Sequence, residues 1–402
     1  MAIHAPLALP DGRLDARSLD FEGVRALMQG LGKEDWRALH VYKAIWKQGI
    51  RSFDEVEAVS KSARRALAKR AYVSHLEQAA RLESQDGTVK YVWRLHDGGY
   101  IESVLIPDED HPGGRRLTLC ISSQVGCAMA CSFCLTGDLG LKRHLSPGEI
   151  AGQLAQVQLD VGRARRVTNV VMMGMGEPLH NLDNLLTAIS IMLDENALGL
   201  SYRKLTVSTV GLVPAMRVLL EKTCVNLAVS LNATTEEQRL QVMPITRRYS
   251  LEELMECCRQ LPLRGARRIT FEYVMMRGFN DSMEDAQRLG DLMQGVRCKV
   301  NLIPYNENPE REIGRPADLT VWRFQDHLVQ RGLHTSVRRT RGRDISAACG
   351  QLGGAEALAR QVQDPSSAWR AEQRAAAQRG EAMRIDREPD WDSPPPAAEP
   401  VA

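Results

Sequence analysis

Three closely spaced cysteines are the residues of this sequence best suited to chemistry. Cys127, Cys131 and Cys134 lie in the segment Cys-Ala-Met-Ala-Cys-Ser-Phe-Cys, directly after a predicted strand. Three thiolates can hold three irons of a four-iron cluster and leave the fourth iron open to a ligand. No histidine lies at zinc-finger spacing, so a zinc site would need a distant fourth ligand. Three free thiols in a loop are the remaining interpretation.

A glycine-rich turn follows the second predicted strand. Residues 174–178 are Gly-Met-Gly-Glu-Pro, in which Gly176 lets the backbone approach a ligand and Glu177 can accept hydrogen bonds from an ammonium group. Short side chains follow other predicted strands, and taken singly each is equally explained as a turn or capping residue. These residues are Ser208, the Ser230-Leu231-Asn232 segment and Asn306.

Two further cysteines lie far from this triplet or just before it. Cys120 falls within the first predicted strand of the core, and Cys349 lies in a charged segment after the last one. Small residues around Cys349 predict an exposed thiol, and a thiol near cationic groups ionises readily and becomes a nucleophile. The other cysteines are predicted to be buried as small apolar side chains. They are Cys224, Cys257, Cys258 and Cys298.

Alternating strands and helices must position these residues. Apolar segments bounded by turn residues predict strands at 117–122, 167–173, 205–208, 226–231, 269–275 and 299–304. Leucine spacing predicts helices between them, over 182–193 and 251–261. Such alternation predicts parallel strands with crossover helices, and therefore an α/β protein with a partial (β/α)6 barrel. In such barrels the chemistry lies at the carboxyl ends of the strands.

Composition limits the class of protein. The 402 residues carry 52 Lys+Arg and 50 Asp+Glu, a net charge of +2, with no apolar run long enough for a membrane span and no signal peptide pattern. Nine cysteines without an export signal indicate a reducing compartment, here the cytoplasm. The pattern divides the chain into a small, basic, helical accessory domain (1–100), a core barrel (101–355), and a helix remnant with a disordered tail (356–402).

Three segments together resemble the RlmN/Cfr family of radical S-adenosylmethionine (SAM) methyltransferases, which act on adenosine in RNA. They are 119–127, 173–178 and 344–352, and the resemblance extends from about residue 15 to 360. It implies a radical SAM barrel whose [4Fe-4S] cluster is held by Cys127, Cys131 and Cys134. It also implies a SAM site formed by Gly176, Glu177, Ser208, Ser230, Leu231, Asn232 and Asn306.

The same resemblance implies a catalytic set of Cys349, Cys120 and Glu102. In the family, one SAM methylates the residue matching Cys349, and a second SAM yields a radical that removes a hydrogen from that methyl group. The methylene then adds to adenine, and the residue matching Cys120 releases the product by forming a disulfide with Cys349. Glu102 matches a proton acceptor; a solvent-facing strand carboxylate is the alternative.

The leading hypothesis is methylation of adenine carbon 2 in 23S ribosomal RNA and in transfer RNA. Methylation of carbon 8, as in the Cfr branch, uses the same motifs and stays open. The resemblance also implies a flavodoxin-type electron donor, and no DNA or membrane partner. An RNA-binding iron–sulfur protein without methyl transfer and a zinc-stabilised module are the alternatives from other classes. RNA binding would require basic clusters on one face: Arg64/Arg65, Arg163/Arg165/Arg166, Arg247/Arg248, Arg267/Arg268 and Arg338/Arg339/Arg341/Arg343.

Overall fold

A ten-stranded mixed sheet is the centre of the computed structural model, which describes residues 11–108, 116–162, 165–308 and 311–354. The predicted tail at 356–402 and Arg163 lie outside the described residues. The strands are β1 (Leu14–Asp15), β2 (Ala71–Tyr72), β3 (Glu77–Glu83), β4 (Val89–Arg94), β5 (Tyr100–Asp108), β6 (Arg116–Cys120), β7 (Gln124–Gly126), β8 (Leu141–His144), β9 (Asn169–Met172), β10 (Leu205–Thr209), β11 (Asn226–Ser230), β12 (Ile269–Met275), β13 (Cys298–Pro304) and β14 (Thr335–Val337).

Eleven α-helices accompany these strands in the described residues. They are α1 (Phe21–Gln29), α2 (Asp35–Lys43), α3 (Lys61–Arg70), α4 (Leu135–Asp138), α5 (Pro147–Val161), α6 (Leu182–Leu193), α7 (Val213–Lys222), α8 (Glu236–Val242), α9 (Leu251–Gln260), α10 (Met283–Leu292) and α11 (Asp318–Gln330). None of the described helices is long and apolar enough to cross a membrane.

The predicted partial barrel is confirmed. The strands follow the order β14-β13-β12-β11-β10-β9-β6-β5-β4-β3, and every pair from β6 to β14 is parallel. All six predicted strands are present, and β14 is a short seventh parallel strand that the sequence did not predict. Parallel strands end at one edge of the sheet, so the segments that follow them meet there.

The first hundred residues differ from the expected, mostly helical region. Helices occupy much of the chain up to Arg70, but β3, β4 and β5 then form an antiparallel meander that joins β6 and extends the barrel sheet. The segment Val89–Arg94 is rich in valine and aromatic residues and almost wholly buried, which favours a strand. The division at residue 100 stays a prediction, because the sheet runs across it.

Side-chain alternation gives each barrel strand two faces. On β10, Leu205 and Val207 are fully buried among the apolar core, whereas Thr206 and Ser208 are half-buried and line the inside of the barrel. Successive side chains of a strand point to opposite faces, so Cys120, the last residue of β6, lies on the same face as Thr118.

Candidate active site

A cavity at the carboxyl ends of the strands brings most of the predicted residues together. We call it the cluster cavity; it holds about 1000 Å³ of empty space that is open to solvent. Of the predicted site residues, those that line it are Cys127, Cys131, Cys134, Gly176, Glu177, Ser208, Ser230, Asn232, Asn306 and Cys349.

The loop of the three cysteines is fixed by the β7–β8 hairpin. The Cys127 N–H donates to the Gly140 carbonyl at 2.9 Å, and the Cys134 N–H donates to the Cys131 carbonyl at 3.1 Å. Gly126 has a φ of +75°, and a Cβ there would lie 1.8 Å from the Gly140 oxygen. Only glycine therefore allows the hairpin to close at the point where the cysteine loop begins.

The three thiols share an apolar wall, and burial dominates their electrostatics. Burial raises the pKa of Cys127, Cys131 and Cys134, and the neighbouring cysteines raise the pKa of Cys127 and Cys131 further. Thiols in such surroundings keep their protons unless a metal supplies positive charge. Among the described residues, no group of three or more His, Cys, Asp or Glu side chains converges so as to hold one metal ion. Three separated sulfurs facing one cavity fit a polynuclear cluster better than a single ion.

Glu177 lies opposite these thiols with its carboxylate nearly buried. Its Oε2 accepts a hydrogen bond from the Val210 N–H at 2.9 Å, and its Oε1 accepts one from the Leu179 N–H at 3.0 Å. Burial raises its pKa to about 7, against the opposing effect of these two backbone donors. A carboxylate held in this way can accept further hydrogen bonds from an ammonium group in the cavity.

Gly176 does more for packing than was expected of a ligand-approach glycine. Its φ is +98°, and a Cβ at this position would lie 2.5 Å from the Gln124 Cβ. The Gln124 Oε1 also accepts the Glu177 N–H at 2.8 Å. The glycine-rich turn is thus locked onto the strand that precedes the cysteine loop, which fixes Glu177 relative to the three thiols.

The residues that follow the other strands divide into cavity-lining and supporting groups. Leu231 does not line the cavity: its side chain packs in the apolar core, whereas Ser230 and Asn232 on either side of it do line the cavity. The Asn232 Oδ1 accepts the Val274 N–H at 2.9 Å. Asn306 donates from Nδ2 to the Cys349 carbonyl at 3.1 Å, so it also holds the segment that carries Cys349.

Cys349 is half-buried rather than exposed as predicted, and its segment is hydrogen-bonded to the core. Besides the Asn306 contact, the Gly350 carbonyl accepts the Leu135 N–H at 2.9 Å, which ties the segment to the cysteine loop. Cys120 is nearly buried at the end of β6, and both cysteines are free thiols. Burial and, to a smaller extent, Cys349 raise the pKa of Cys120 to about 12, and Arg338 opposes this rise. Cys120 is thus within the electrostatic range of Cys349 and Arg338, which both line the cluster cavity.

Glu102 lies behind Cys349, outside the lining of the cluster cavity. Its side chain on β5 is fully buried, so the alternative of a solvent-facing carboxylate is wrong. Its Oε2 lies 3.5 Å from Lys90 Nζ, and Lys90 donates to the Ser346 carbonyl at 3.1 Å, three residues before Cys349. Burial raises the pKa of Glu102, and Lys90 opposes this rise.

Two charged residues of the cavity were not identified as site residues from the sequence. Glu272, inside β12, and Arg338, just after β14, both line the cavity. The charge of Arg338 lowers the pKa of Glu272, and the charge of Glu272 raises the pKa of Arg338. Burial is the larger influence on Glu272 and raises its pKa overall. A carboxylate within an otherwise apolar strand was the available signal for Glu272.

This barrel and its cysteine loop define a class of protein that sequence comparison also recovers. Residues 121–290 match the Radical SAM superfamily, and residues 15–73 match the ribosomal RNA large subunit methyltransferase N-terminal domain. Radical SAM proteins as a class use a [4Fe-4S] cluster and SAM, and the donor set of the cluster cavity fits both groups.

Relatives with known names narrow this class. The chain is 51% identical over 350 residues to the dual-specificity RNA methyltransferase RlmN of Pelobacter propionicus, covering 87% of this chain and 98% of the relative. It is 49% identical to the RlmN of Anaeromyxobacter dehalogenans, covering 86% and 93%. A solved radical SAM methyltransferase from Sphaerobacter thermophilus shares the fold with a TM-score of 0.79 and 39% identity, over 84% of this chain and 98% of that one. The chain belongs to the RlmN family of radical SAM methyltransferases, which confirms the resemblance.

Proposed function

We propose that this chain methylates carbon 2 of an adenosine in 23S ribosomal RNA and in transfer RNA, through a methyl group carried on Cys349. The observation that supports it most is the position of Cys349, which lies at the cluster cavity, next to Cys120 and Arg338. Relatives named dual-specificity RNA methyltransferases support RNA as the substrate. The proposal places the protein in the cytoplasm with these RNAs.

The carbon to be methylated explains why a cysteine is needed. The amidine carbon of adenine is electrophilic, so it does not attack the methyl group of SAM as a nucleophile would. When bound, the cluster and SAM supply the methyl group and the hydrogen-abstracting radical, with two SAM used per turnover and electrons from a flavodoxin-type donor. Cys127, Cys131 and Cys134 would hold the cluster, and Glu177 would bind the amino group of SAM.

The remaining steps belong to side chains of this chain. Cys349 must lose its proton to accept a methyl group, and Arg338 lines the cluster cavity together with it. After the carbon is joined to the base, the Cys120 thiolate attacks the Cys349 sulfur and forms a disulfide. The bond between Cys349 and the transferred carbon breaks, and that carbon keeps the electron pair and takes up a proton to become the methyl group. Glu102 would accept a proton, and a buried carboxylate with a raised pKa is suited to this.

Nucleoside mass spectrometry tests the proposal. Protein reconstituted with iron and sulfide is incubated anaerobically with RNA, SAM and a reductant, and the RNA is then digested. We expect 2-methyladenosine; 8-methyladenosine would overturn the carbon-2 assignment, and no methylated adenosine from a protein that cleaves SAM would overturn the substrate assignment. Comparison of ribosomal with transfer RNA tests the dual specificity.

Cysteine variants test the route of the methyl group. Cys349→Ala should abolish methylation and keep the cluster, whereas Cys120→Ala should leave protein covalently attached to RNA. Cys224→Ala is a matched control, because this thiol is half-buried and lies outside the cavity lining. Normal turnover by Cys349→Ala would contradict the methyl-cysteine route, and clean product from Cys120→Ala would remove its resolving role.

A further inference from the structure

A second cavity, which we call the lower chamber, extends through the barrel beneath the cluster cavity. It holds about 1840 Å³ of empty space that is open to solvent. Its lining includes residues at the starts of strands, such as Arg116, Thr206, Thr270 and Lys299, and it reaches Cys349 at the other end. The lower chamber therefore connects the amino ends of the barrel strands with the predicted methyl carrier.

The two cavities meet at Cys349. They share six lining residues, and the predicted methyl carrier is one of them. The shared residues are Met173, Glu272, Ile303, Asn306, Arg338 and Cys349. A group on Cys349 can thus be approached from the cluster side and, separately, from the chamber side. A substrate that entered through the chamber would not have to pass the cluster or SAM.

The lower chamber is lined by more positive than negative side chains. Its cationic residues are Arg116, Lys299, Arg338, Arg339 and Arg341, and its acidic residues are Asp108 and Glu272. An excess of fixed positive charge in a concave site attracts polyanions and concentrates them there.

Basic residues also gather where the barrel strands begin. Arg165 and Arg166 precede β9, Arg203 and Lys204 precede β10, and Arg264, Arg267 and Arg268 precede β12. We call these residues, with Arg297 before β13, the basic rim. Because the strands are parallel, their starts lie at one edge of the sheet, so residues up to 132 positions apart in the chain meet on one face.

The contacts of the basic rim leave its charge available. Arg166 donates to the Gly199 carbonyl at 2.9 Å, and Arg203 donates to the Tyr202 hydroxyl at 3.2 Å, so neither of these bonds neutralises a cation. Tyr202 is 38% exposed, and Arg203 and Arg267 lie 5.5 and 5.1 Å from its ring centre. An exposed aromatic ring between arginines can stack with a base while the cations contact phosphates.

We propose that the basic rim binds the phosphate backbone of RNA, and that the nucleotide to be modified reaches Cys349 through the lower chamber. The inference rests on the proposed function and adds the surface and the entry route. The nucleotide must leave its stack to enter, and stacking of a remaining base on the Tyr202 ring can compensate for the stacking that is lost. RNA and the radical chemistry then meet at Cys349 from opposite ends of one barrel.

Lysine protection tests the route on the unmodified holoenzyme. The protein is acetylated briefly with and without a saturating RNA stem-loop that carries an unpaired adenosine, and each lysine is quantified by mass spectrometry. We expect RNA to slow acetylation of Lys204 and Lys299 at least about fivefold, because bound phosphates exclude the reagent. Exposed Lys142, on the β7–β8 hairpin, is the internal control. The proposal would be overturned if RNA changed the acetylation rate of Lys204 by no more than that of Lys142.

Charge reversal gives a second test. Lys204→Glu/Arg268→Glu changes the rim, and Arg259→Glu/Arg323→Glu makes the same charge change on the exposed faces of α9 and α11. Binding of a fluorescently labelled form of the same RNA stem-loop is measured from low to high salt. We expect the rim variant to lose at least about tenfold in affinity, with a salt slope smaller by about 2, since each phosphate contact contributes about 0.9. We expect the control to bind like the unmodified protein.

The outcomes distinguish failure of the proposed function from failure of the rim proposal. If the unmodified protein neither binds nor methylates any RNA offered, the proposed function is wrong. If it does both, and the rim variant binds as tightly and as salt-dependently as the α9/α11 control, the proposed function stands and the rim proposal is wrong. Cleavage of SAM without RNA should be unchanged in both double variants, which verifies that the cluster end is intact.

Discussion

The two ends of the barrel differ in burial and in charge. At the cluster end, Cys131 and Tyr305 are nearly buried, and burial raises the pKa of every cysteine of the loop. At the strand starts, Lys204 and Arg268 are exposed cations on a rim. The cluster end depends on fixed geometry and buried side chains, whereas the rim depends on charge density and tolerates small displacements.

This difference has a consequence for how each end responds to change. Buried packing and buried ion pairs contribute to the folding free energy, so substitutions at the cluster end should cost both stability and activity. Exposed like charges contribute little to folding and are screened by salt, so substitutions at the rim should affect RNA binding alone.

The largest effect is expected for the three cysteines proposed to hold the cluster. Cys131→Ala removes one of three thiolates, so we expect loss of bound iron, of the brown colour, and of SAM cleavage by on the order of 10³-fold or more, because the parts of a catalytic unit fail together. Iron content and visible absorbance of the reconstituted protein measure this. Cys257→Ala is the matched control, since that thiol is buried in the core beside α7. Equal iron in both variants would contradict the assignment of the loop.

A buried ion pair that anchors the cysteine hairpin should give the next largest effect. Arg143, on β8, donates to both oxygens of Glu149 at 2.8 Å, and Glu149 is 5% exposed at the start of α5. Glu149→Gln removes the charge of this partner but leaves Arg143 its second carboxylate, Asp97, so we expect a loss of about 1.5–3 kcal/mol of unfolding free energy. Glu22→Gln removes an exposed pair with Arg25 and should change stability little. Denaturant unfolding at pH 7 compares the two variants.

The same pair gives a pH dependence whose direction follows from the pKa. Burial by itself would raise the pKa of Glu149, but the Arg143 and His96 hydrogen bonds outweigh it and hold the pKa below 4.5. The stabilisation is therefore present above pH 4.5 and is lost as the pH falls through the lowered value. Glu149→Gln should flatten this part of the stability profile, and an unchanged acid limb would contradict the contribution.

Two glycines with positive φ compare the ends directly. Gly176→Ala at the cluster end places a Cβ 2.5 Å from Gln124, whereas Gly265→Ala at the rim places one with no atom within 4 Å. Both variants carry the left-handed backbone cost of about 1 kcal/mol, and only the first adds about 1–3 kcal/mol of overpacking. Unfolding free energies should thus separate by at least about 1 kcal/mol. Equal losses would mean that the turn at Gly176 relaxes freely.

The sequence predicted the cluster end far better than the rim. Cys127, Cys131 and Cys134 lie within eight residues of one another, so their spacing alone predicts a cluster site, and the apolar strands around them follow simple rules. Leu231 stays a prediction for the site, and its side chain lies in the apolar core between two residues that line the cavity. Glu272 and Arg338 enter the cavity through tertiary packing. The rim consists of residues from 165 to 297 that only the parallel sheet brings together.

The smallest expected effect is also the most discriminating one. Lys204→Gln/Arg268→Gln removes two of the clustered like charges, so the unfolding free energy should stay within about 0.5 kcal/mol of the unmodified value or rise slightly, while RNA binding weakens. Arg259→Gln/Arg323→Gln is the matched control, which should change neither quantity. A loss of more than about 1 kcal/mol in the rim variant would mean that these cations stabilise the fold. If stability holds while RNA affinity falls, the rim keeps mutually repelling charges because RNA requires them.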